Sequence, residues 1–286
     1  MQYEIDCHSH SFYSPDAAES PELMFKKARI AGLKGLVITD HNTTAHFPKI
    51  NKSAKKNKLI TCEGIEITAS YKNADIHILG YSNSFDVKYL EPLLKSIRNG
   101  YNKRSKKTLI RLKKIGIEIN FSDLLKKSRS GYVSKPLIAK EISRVKKIEY
   151  KSALLLVERG GAAYVPYGVW APSPEKVVEC INKAGGKAVF AHPGDFFGKR
   201  NSLPLSKREV AFNKLIKSLI KAGLSGIEVW YPTHTPKQIV SFKSITKKYN
   251  IIPTGGSDWH GKAFTPNRSM GQCGTKINYL SKLLVS

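Results

Sequence analysis

Short apolar runs alternate with longer amphipathic segments along most of the chain. The runs predict strands at residues 3–5, 35–38, 59–61, 76–79, 188–191, 226–230 and 251–254. Segments with apolar residues spaced three and four apart predict helices at 21–31, 174–184, 205–222 and 236–249. This alternation favours an α/β fold in which outer helices surround a parallel sheet or barrel.

The middle of the chain has a different pattern. Residues 86–163 carry almost no strand signal, and the stretch "YLEPLLKSIRNGYNKRSKKTLIRLKKIG" predicts one long helix followed by shorter ones. We therefore predict an α/β barrel domain made of residues 1–85 and 164–286, with a lysine-rich helical cap subdomain, residues 86–163, inserted into it. A last helix is predicted at 276–284.

Histidines and carboxylates follow or lie within the predicted strands. Side chains two apart on a strand point to the same face, so His8 and His10 can share one metal ion, as can Asp258 and His260. The chain's start, "DCHSHSFYSPDA", adds Asp6 and Asp16. The strand-associated candidates are His8, His10, Asp40, His41, Glu63, Glu66, His77, His192, Asp258 and His260.

Ligands from widely separated strand ends converge only at the mouth of a barrel, where the chemistry of such folds is found. Imidazole and carboxylate ligands suit Mn, Zn or Fe, with Mg also possible. The candidates exceed what one ion needs, so we expect two or three divalent ions that can clamp a phosphoryl group. His46 lacks this context and is predicted to be a packed histidine, whereas His234 is left open between packing and the substrate rim.

The net charge of +26 is the strongest signal in the composition. It either attracts nucleic acid or belongs to a solvated surface, because lysines far outnumber arginines and are spread along the chain. No apolar run is long enough for a membrane helix, and no signal pattern begins the chain. We therefore expect a cytoplasmic protein that does not associate with a membrane. Nothing indicates an obligate protein partner, and four scattered cysteines form no disulfide framework.

The motifs "HSH", "TDH", "GIE", "IHILGY", "AHPG" and "GSDWH", in this order, resemble the PHP (polymerase and histidinol phosphatase) family of metal-dependent phosphoesterases. The stretches "INKAGGKAVFAHPG" and "GIEVWYPTHTPKQ" are similar to the branch that hydrolyses nucleoside 3′,5′-bisphosphates and trims RNA from the 5′ end. The resemblance covers essentially the whole chain and implies a distorted (β/α)7 barrel with a trinuclear site.

When the motifs are matched one by one, the resemblance implies that nine residues are metal ligands. Of the two neighbouring carboxylates it favours Glu66 over Glu63 as a ligand. It also implies that Asp6 and Asp40 orient histidines through their second ring nitrogen. The first ion would be held by His8, His10, Glu66 and Asp258, the second by Glu66, His77 and His192, and the third by Asp16, His41 and His260.

Three departures from the family pattern affect the expected substrate. The acidic ligand lies in "SPDA" instead of "SDG", "SKPLIA" carries Lys135 and Leu137 where the branch has Arg-x-His, and Asp195 replaces a basic residue. We expect a bridging hydroxide to attack phosphorus in line. The predicted substrate contacts are Lys135, Arg200, His234 and Arg268.

The expected activity is that of a metal-dependent phosphoric ester hydrolase acting on a nucleotide of the 3′,5′-bisphosphate type or on the 5′ end of short RNA. One alternative is a phosphatase or cyclic-phosphate hydrolase for another small phosphorylated metabolite. An alternative from another class is a basic nucleic-acid-binding protein with structural metals. Amide or lactone hydrolysis on a similar barrel is disfavoured by the ligand pattern.

Overall fold

The computed structural model describes residues 3–72, 74–168, 170–198 and 203–285. Within these ranges the strands are β1 (Ile5–Asp6), β2 (Gly35–Leu36), β3 (Glu63–Tyr71), β4 (Ala74–Ser82), β5 (Lys187–Phe190), β6 (Gly226–Trp230) and β7 (Ile252–Gly255). The helices are α1 (Pro21–Ile30), α2 (Phe47–Asn57), α3 (Val87–Lys114), α4 (Phe121–Lys127), α5 (Lys135–Lys146), α6 (Tyr150–Val157), α7 (Pro174–Lys183), α8 (Leu205–Lys221), α9 (Pro236–Tyr249) and α10 (Ile277–Val285). The predicted α/β architecture is confirmed.

The strands form two sheets. β1 pairs with β2 in parallel, and β3 to β7 form a second sheet in chain order, antiparallel as far as β5 and parallel from β5 to β7. Isolated bridges between Ser9 and Trp259 and between His41 and Glu66 link the two sheets. Across the described ranges the strands do not form a continuous closed barrel.

The longest strands form a hairpin that the sequence pattern did not predict. Residues 59–61, predicted as a strand, contribute one isolated bridge from Ile60 to Gly35, and the strand itself starts at Glu63. β3 and β4 pair in antiparallel register along their whole length, so each strand satisfies backbone hydrogen bonds of the other. Glu66 therefore lies within a strand and not beyond its end.

The helical insertion continues the main core and then builds a second one. The first half of α3 packs Leu94 and Ile97 into the core of the large sheet. Its second half buries Leu112 in a separate cluster with Ile138 of α5 and Ala153 of α6. Since one helix belongs to both cores, it holds the helical segment against the strands. No helix in the described part of the chain is long and apolar enough to cross a membrane.

Serine and threonine caps define where several outer helices begin. Ser20, Ser173 and Thr235 each accept a hydrogen bond from a backbone N–H in the first turn of α1, α7 and α9, and a proline follows each cap. Such a cap contributes about 1 kcal/mol, and proline at the first helical position already has the required φ. These signals explain why α1, α7 and α9 were predicted to within one residue. The helix α2, whose N-cap residue His46 makes no side-chain cap hydrogen bond, was not predicted.

Candidate metal centre

Glu66 lies at the centre of a cluster of five histidines. Its Oε2 is 2.9 Å from His41 Nδ1, 3.3 Å from His10 Nε2 and 3.4 Å from His8 Nε2. Its Oε1 lies 2.9 Å from His77 Nδ1 and 3.0 Å from His192 Nε2. The two oxygens of one buried carboxylate thus face two different groups of imidazoles.

The most buried group consists of His8, His10, Glu66 and Asp258, whose ligand atoms all lie within 4.8 Å of one another. Asp258 Oδ1 is 3.4 Å from His8 Nε2 and 3.1 Å from His10 Nε2. His8 Nε2, His10 Nε2 and Glu66 Oε2 are buried, and despite these short separations none of them makes a hydrogen bond of good geometry. Unpartnered buried polar atoms are rare in proteins, so these converging lone pairs fit a divalent cation.

The outer ring nitrogens of the histidines set which nitrogen faces the cluster. His8 Nδ1 lies 3.0 Å from Glu228 Oε1, and His260 Nδ1 lies 3.0 Å from the carbonyl of Asp258. Both acceptors require a proton on Nδ1. This leaves the Nε2 lone pair free for a metal, as in metal-bound histidines generally.

His10 is held in the same tautomer by a relay. Its Nδ1 lies 3.1 Å from Ser14 Oγ, and that hydroxyl donates in turn to Asp40 Oδ1 at 3.0 Å. Asp40 is fully buried and also accepts a hydrogen bond from the backbone N–H of Ser11 at 2.7 Å. The carboxylate therefore orients His10 through a serine and not by direct contact.

A second group forms where β4 and the segment after β5 meet Glu66. His77 sits opposite Thr68 in the β3–β4 register, which makes it the diagonal neighbour of Glu66 on the same face. His192 follows β5, and its Nδ1 lies 3.3 Å from Asp195 Oδ2. Asp195, the residue that departs from the family pattern, thereby orients a histidine of the cluster.

A third group contains His41, His260 and Asp16. Asp16 Oδ2 is 3.8 Å from His41 Nε2, and Asp16 Oδ1 is 3.7 Å from His260 Nε2. Asp16 Oδ1 is itself buried without a hydrogen-bond partner. His10 lies next to these residues, since its ring stacks on those of His41 and His260 at centroid distances of 4.3 and 4.1 Å. The structure thus brings together all nine residues that the sequence predicted as ligands.

Charges in the metal-free cluster are strongly coupled. Burial alone would raise the pKa of Glu66, but the imidazoles of His77, His41 and His8 hold it well below its usual range. Burial opposes protonation of His41 and His192, yet nearby carboxylates, chiefly Glu66, raise the pKa of each to about 9. Without metal, His41 and His192 therefore hold protons beside the ionised carboxylate of Glu66.

Two of the candidate ligands have a strained backbone. His192 has φ 26° and Asp258 has φ 51°, in a region that residues other than glycine seldom adopt. Hydrogen bonds hold both: Glu228 Oε2 accepts from the N–H of His192 at 2.7 Å, and Arg268 donates to the carbonyl of Asp258 at 3.0 Å. With this backbone the His192 ring contacts Glu66, and the Asp258 carboxylate contacts His8 and His10.

Asp6 and His46 stabilise the backbone beneath the cluster. Asp6 accepts from the N–H groups of His8, Ser257 and Gly271, so the expectation that it orients a ring nitrogen is wrong. His46 is fully buried, with Nε2 2.9 Å from the carbonyl of Gly64, as predicted for a packed histidine. Glu63, the less favoured carboxylate, accepts from the N–H of Phe85 at 2.7 Å, away from the cluster.

A cavity of about 130 Å³ opens between the cluster and the helical segment. Asp16, His41 and His77 form one side of it, and Arg104 of α3 and Lys135 of α5 form the other. Three residues of the cluster thus face two cations from the helices across this cavity. Such an arrangement can hold an anion against a metal centre.

The four predicted substrate contacts have different surroundings. Lys135 lines this cavity, whereas Arg200 lies outside the described residues. His234 is buried, with Nδ1 2.9 Å from the carbonyl of Val229, and its Nε2 accepts from the N–H of Gly194 at 3.1 Å. Both its nitrogens therefore bond to backbone groups, and the contact with Gly194 fixes the turn after His192.

Arg268 contacts the cluster itself. It donates to Asp258 Oδ2 at 2.6 Å, and its guanidinium lies 2.9 Å from the hydroxyl of Tyr231. That hydroxyl also donates to Asp258 Oδ2 at 2.9 Å. Arg268 and Tyr231 thus fix one oxygen of Asp258 and leave Oδ1 directed at His8 and His10.

Sequence reasoning missed Glu228 and Arg104. Glu228 is fully buried in β6, and a lone carboxylate inside the apolar run "GIEVW" was a usable signal, since buried acids are seldom found unpaired. Arg104 is only 5% exposed in α3 and bonds through Nε to the carbonyl of Val165 at 2.9 Å. Nothing distinguished it from the many cations of this helix, because its burial depends on tertiary packing.

A model of the PHP domain family matches residues 6–250. A phosphoribosyl 1,2-cyclic phosphate 1,2-diphosphodiesterase from Eggerthella lenta is 26% identical, over 90% of this chain and 94% of its own length. The 5′-3′ exoribonuclease Rnm of Salmonella typhimurium is 25% identical, over 89% and 84%. A 3′,5′-nucleoside bisphosphate phosphatase from Chromobacterium violaceum is 28% identical, over 90% and 87%.

Among solved structures, a candidate metal-dependent phosphoesterase from Bifidobacterium adolescentis superposes with a TM-score of 0.82 at 26% identity. The superposition covers 98% of this chain and 95% of that one. The similarity therefore includes the helical insertion as well as the sheets.

Replacing the central carboxylate tests the cluster. We expect Glu66→Gln to weaken Mn²⁺ binding by more than the roughly 100-fold typical of residues that only orient a ligand, because it removes a charge shared by two groups of histidines. Titration calorimetry and metal analysis measure this. Glu63→Gln is the matched control in the same strand and should bind metal normally; equal binding by both variants would contradict the assignment.

Metal binding should release protons. Because the pKa values of His41 and His192 are about 9 without metal, both imidazoles are mostly protonated at pH 7.5 and must lose that proton to bind. Metal affinity should therefore rise as the pH increases towards about 9. Calorimetry at pH 7.5 in buffers of different ionisation enthalpy measures the released protons, and an apparent enthalpy independent of buffer would contradict the prediction.

Proposed function

This chain belongs to the PHP domain family and is a metal-dependent phosphoesterase, and from that premise we propose that it hydrolyses a phosphoester of a nucleotide. The substrates we favour are a nucleoside 3′,5′-bisphosphate and the 5′ end of short RNA. Relatives named for both activities match about nine tenths of the chain. The observation that carries the proposal is the Glu66 carboxylate, whose two oxygens face separate groups of imidazoles.

We assign the ligands in three groups that share Glu66 and the rings beside it. The first is His8, His10, Glu66 and Asp258, the second Glu66, His77 and His192, and the third Asp16, His41 and His260. Divalent ions bound there would supply water of lowered pKa and neutralise charge on phosphoryl oxygens. The protein itself fixes the tautomers through Glu228, Ser14 and the carbonyl of Asp258.

The finer architecture is also part of the proposal. The bridges from Ser9 to Trp259 and from His41 to Glu66 continue the strand order across the gaps between the two sheets. We therefore regard the fold as a strongly distorted (β/α)7 barrel. Residues 1–85 and 164–286 would form it, and residues 86–163 would form a cap that closes over the cluster.

Arg104 and Lys135 are our candidates for contacts with substrate phosphate. Both line the cavity that contains Asp16, His41 and His77. Within the described ranges Arg104 donates from Nε to the carbonyl of Val165, and its guanidinium lies 6.0 Å from the ring centroid of Tyr101. We assign its terminal nitrogens to an anion in the cavity. A guanidinium that is already desolvated and fixed binds phosphate at a lower entropic cost than a mobile lysine.

Phosphate release in the presence of Mn²⁺ tests the activity. We expect fast release from adenosine 3′,5′-bisphosphate or processing of 5′-phosphorylated RNA, and slow release from AMP and a sugar phosphate. His192→Ala should lower the rate by several orders of magnitude because it removes a proposed ligand, and circular dichroism should show an intact fold.

Glu63→Gln is the matched control for that experiment and should retain the wild-type rate. Hydrolysis of a phosphoribosyl 1,2-cyclic phosphate alone would transfer the assignment to the activity named for the Eggerthella lenta relative. Metal-loaded protein that hydrolyses nothing but binds RNA with steep salt dependence would favour the nucleic-acid-binding alternative.

Removing the buried guanidinium should weaken substrate binding more than it slows turnover. We expect Arg104→Met to raise KM about tenfold or more, the usual effect of losing hydrogen bonds to a charged group, with a smaller change in kcat. Arg104→Lys should recover part of the loss because it keeps the charge. Lys103→Met removes an exposed charge from the same helix and is the control; an equal effect of both methionine variants would contradict the assignment.

A further inference from the structure

A second, larger hollow adjoins the metal cavity. Its volume is about 360 Å³, and Pro15 and Pro136 line both spaces. The metal cavity, about 130 Å³, is smaller than the roughly 300 Å³ at which pockets for small molecules begin, whereas the hollow exceeds that size. A phosphoryl group therefore fits at the cluster, but the rest of a nucleotide must extend beyond it.

The hollow is joined to the cluster through both of its walls. Ser14 lines the hollow and also contacts His10 and the N–H of His41. On the other side, the first turn of α5 directs Lys135 to the metal cavity and Leu137 to the hollow. Leu137, which stands where the family branch has a histidine, thus supplies an apolar side chain to the hollow.

The lining combines aromatic rings with cations. Phe12 and Phe264 are half-buried, and the Arg129 guanidinium lies 4.9 Å from the ring centroid of Phe12. Lys127 and Lys140 are exposed at the rim. No carboxylate lines the hollow within the ranges that the structure describes. Aromatic faces beside positive charge bind nucleobases and their flanking phosphates, and the stacking tolerates any base.

We propose that this hollow is a base-binding subsite. It takes the nucleobase of the nucleotide whose phosphoester lies at the metal cluster, with the base on Phe12 and a second phosphate near Arg129 and Lys140. The inference rests on the proposed function and narrows it, because it selects nucleotides with two phosphates over sugar phosphates and cyclic phosphates that lack a base.

A matched pair of substrates tests the subsite. Wild-type protein with Mn²⁺ should have a kcat/KM about tenfold or more higher for adenosine 3′,5′-bisphosphate than for the tetrahydrofuran analogue, which has the same two phosphates and no base. Phe12→Leu keeps the apolar volume but not the aromatic face. It should lose about tenfold on the nucleotide and nothing on the abasic compound, whereas Phe12→Tyr should retain the preference.

The rim cations are tested in the same assay. Lys140→Ala should raise KM for the bisphosphate. Lys126→Ala, which changes another exposed lysine outside the lining, should not. Equal rates of wild-type protein on both compounds would overturn the subsite. So would an equal loss on both compounds in Phe12→Leu, because that result assigns Phe12 a structural role.

Failure of the proposed function can be distinguished from failure of the base-binding subsite. If wild-type protein releases phosphate from neither compound, the function is wrong, and the subsite is then read from the fluorescence of intact 2-aminopurine riboside 3′,5′-bisphosphate. Quenching that saturates with wild-type protein and disappears in Phe12→Leu supports base stacking. Absence of quenching, or equal quenching by both proteins, overturns it.

Discussion

The buried carboxylate of Glu66 is the constraint on which the rest of the site depends. An ionised group taken out of water is costly unless it is paired, and the five imidazoles around Glu66 supply that pairing in the metal-free protein. The same contacts keep the imidazoles within reach of one another, although as cations they would repel. Divalent ions would replace these protons as the positive charge, so the same arrangement of side chains suits the metal-free and the metal-bound protein.

Holding this carboxylate requires strands and not loops. Glu66 sits within β3, where pairing to β4 on one side and the bridge to His41 on the other fix its backbone. Glu228 in β6 anchors the opposite side, since its two oxygens bond the His8 ring and the N–H of His192. The cluster is therefore fixed by rigid elements, and the strain at His192 is offset by these bonds.

Much of this could be predicted from the sequence, and the remainder could not for physical reasons. Paired motifs such as His8 with His10 predicted side chains that meet in one cluster, because an extended backbone places alternate residues on one face. The antiparallel hairpin escaped prediction, since cross-strand pairing leaves no trace in a single strand's pattern. Arg104 also escaped, because an exposed and a buried arginine look alike until the second core fixes which side of α3 faces inward.

The two sides of the active cleft have different physical tasks. The candidate ligands, in the strands and in the segments that follow them, must keep their distances to within a few tenths of an ångström. A departure there is compensated locally, as when Asp195 lies 3.3 Å from the ring of His192. The helical side contributes Arg104, Lys135 and Leu137, which line the two cavities and which we propose contact the substrate. A cap with its own hydrophobic core can change these side chains without disturbing Glu66. Conserving the chemistry while altering the substrate therefore requires changes mainly in α3, α5 and the loop that carries Phe12.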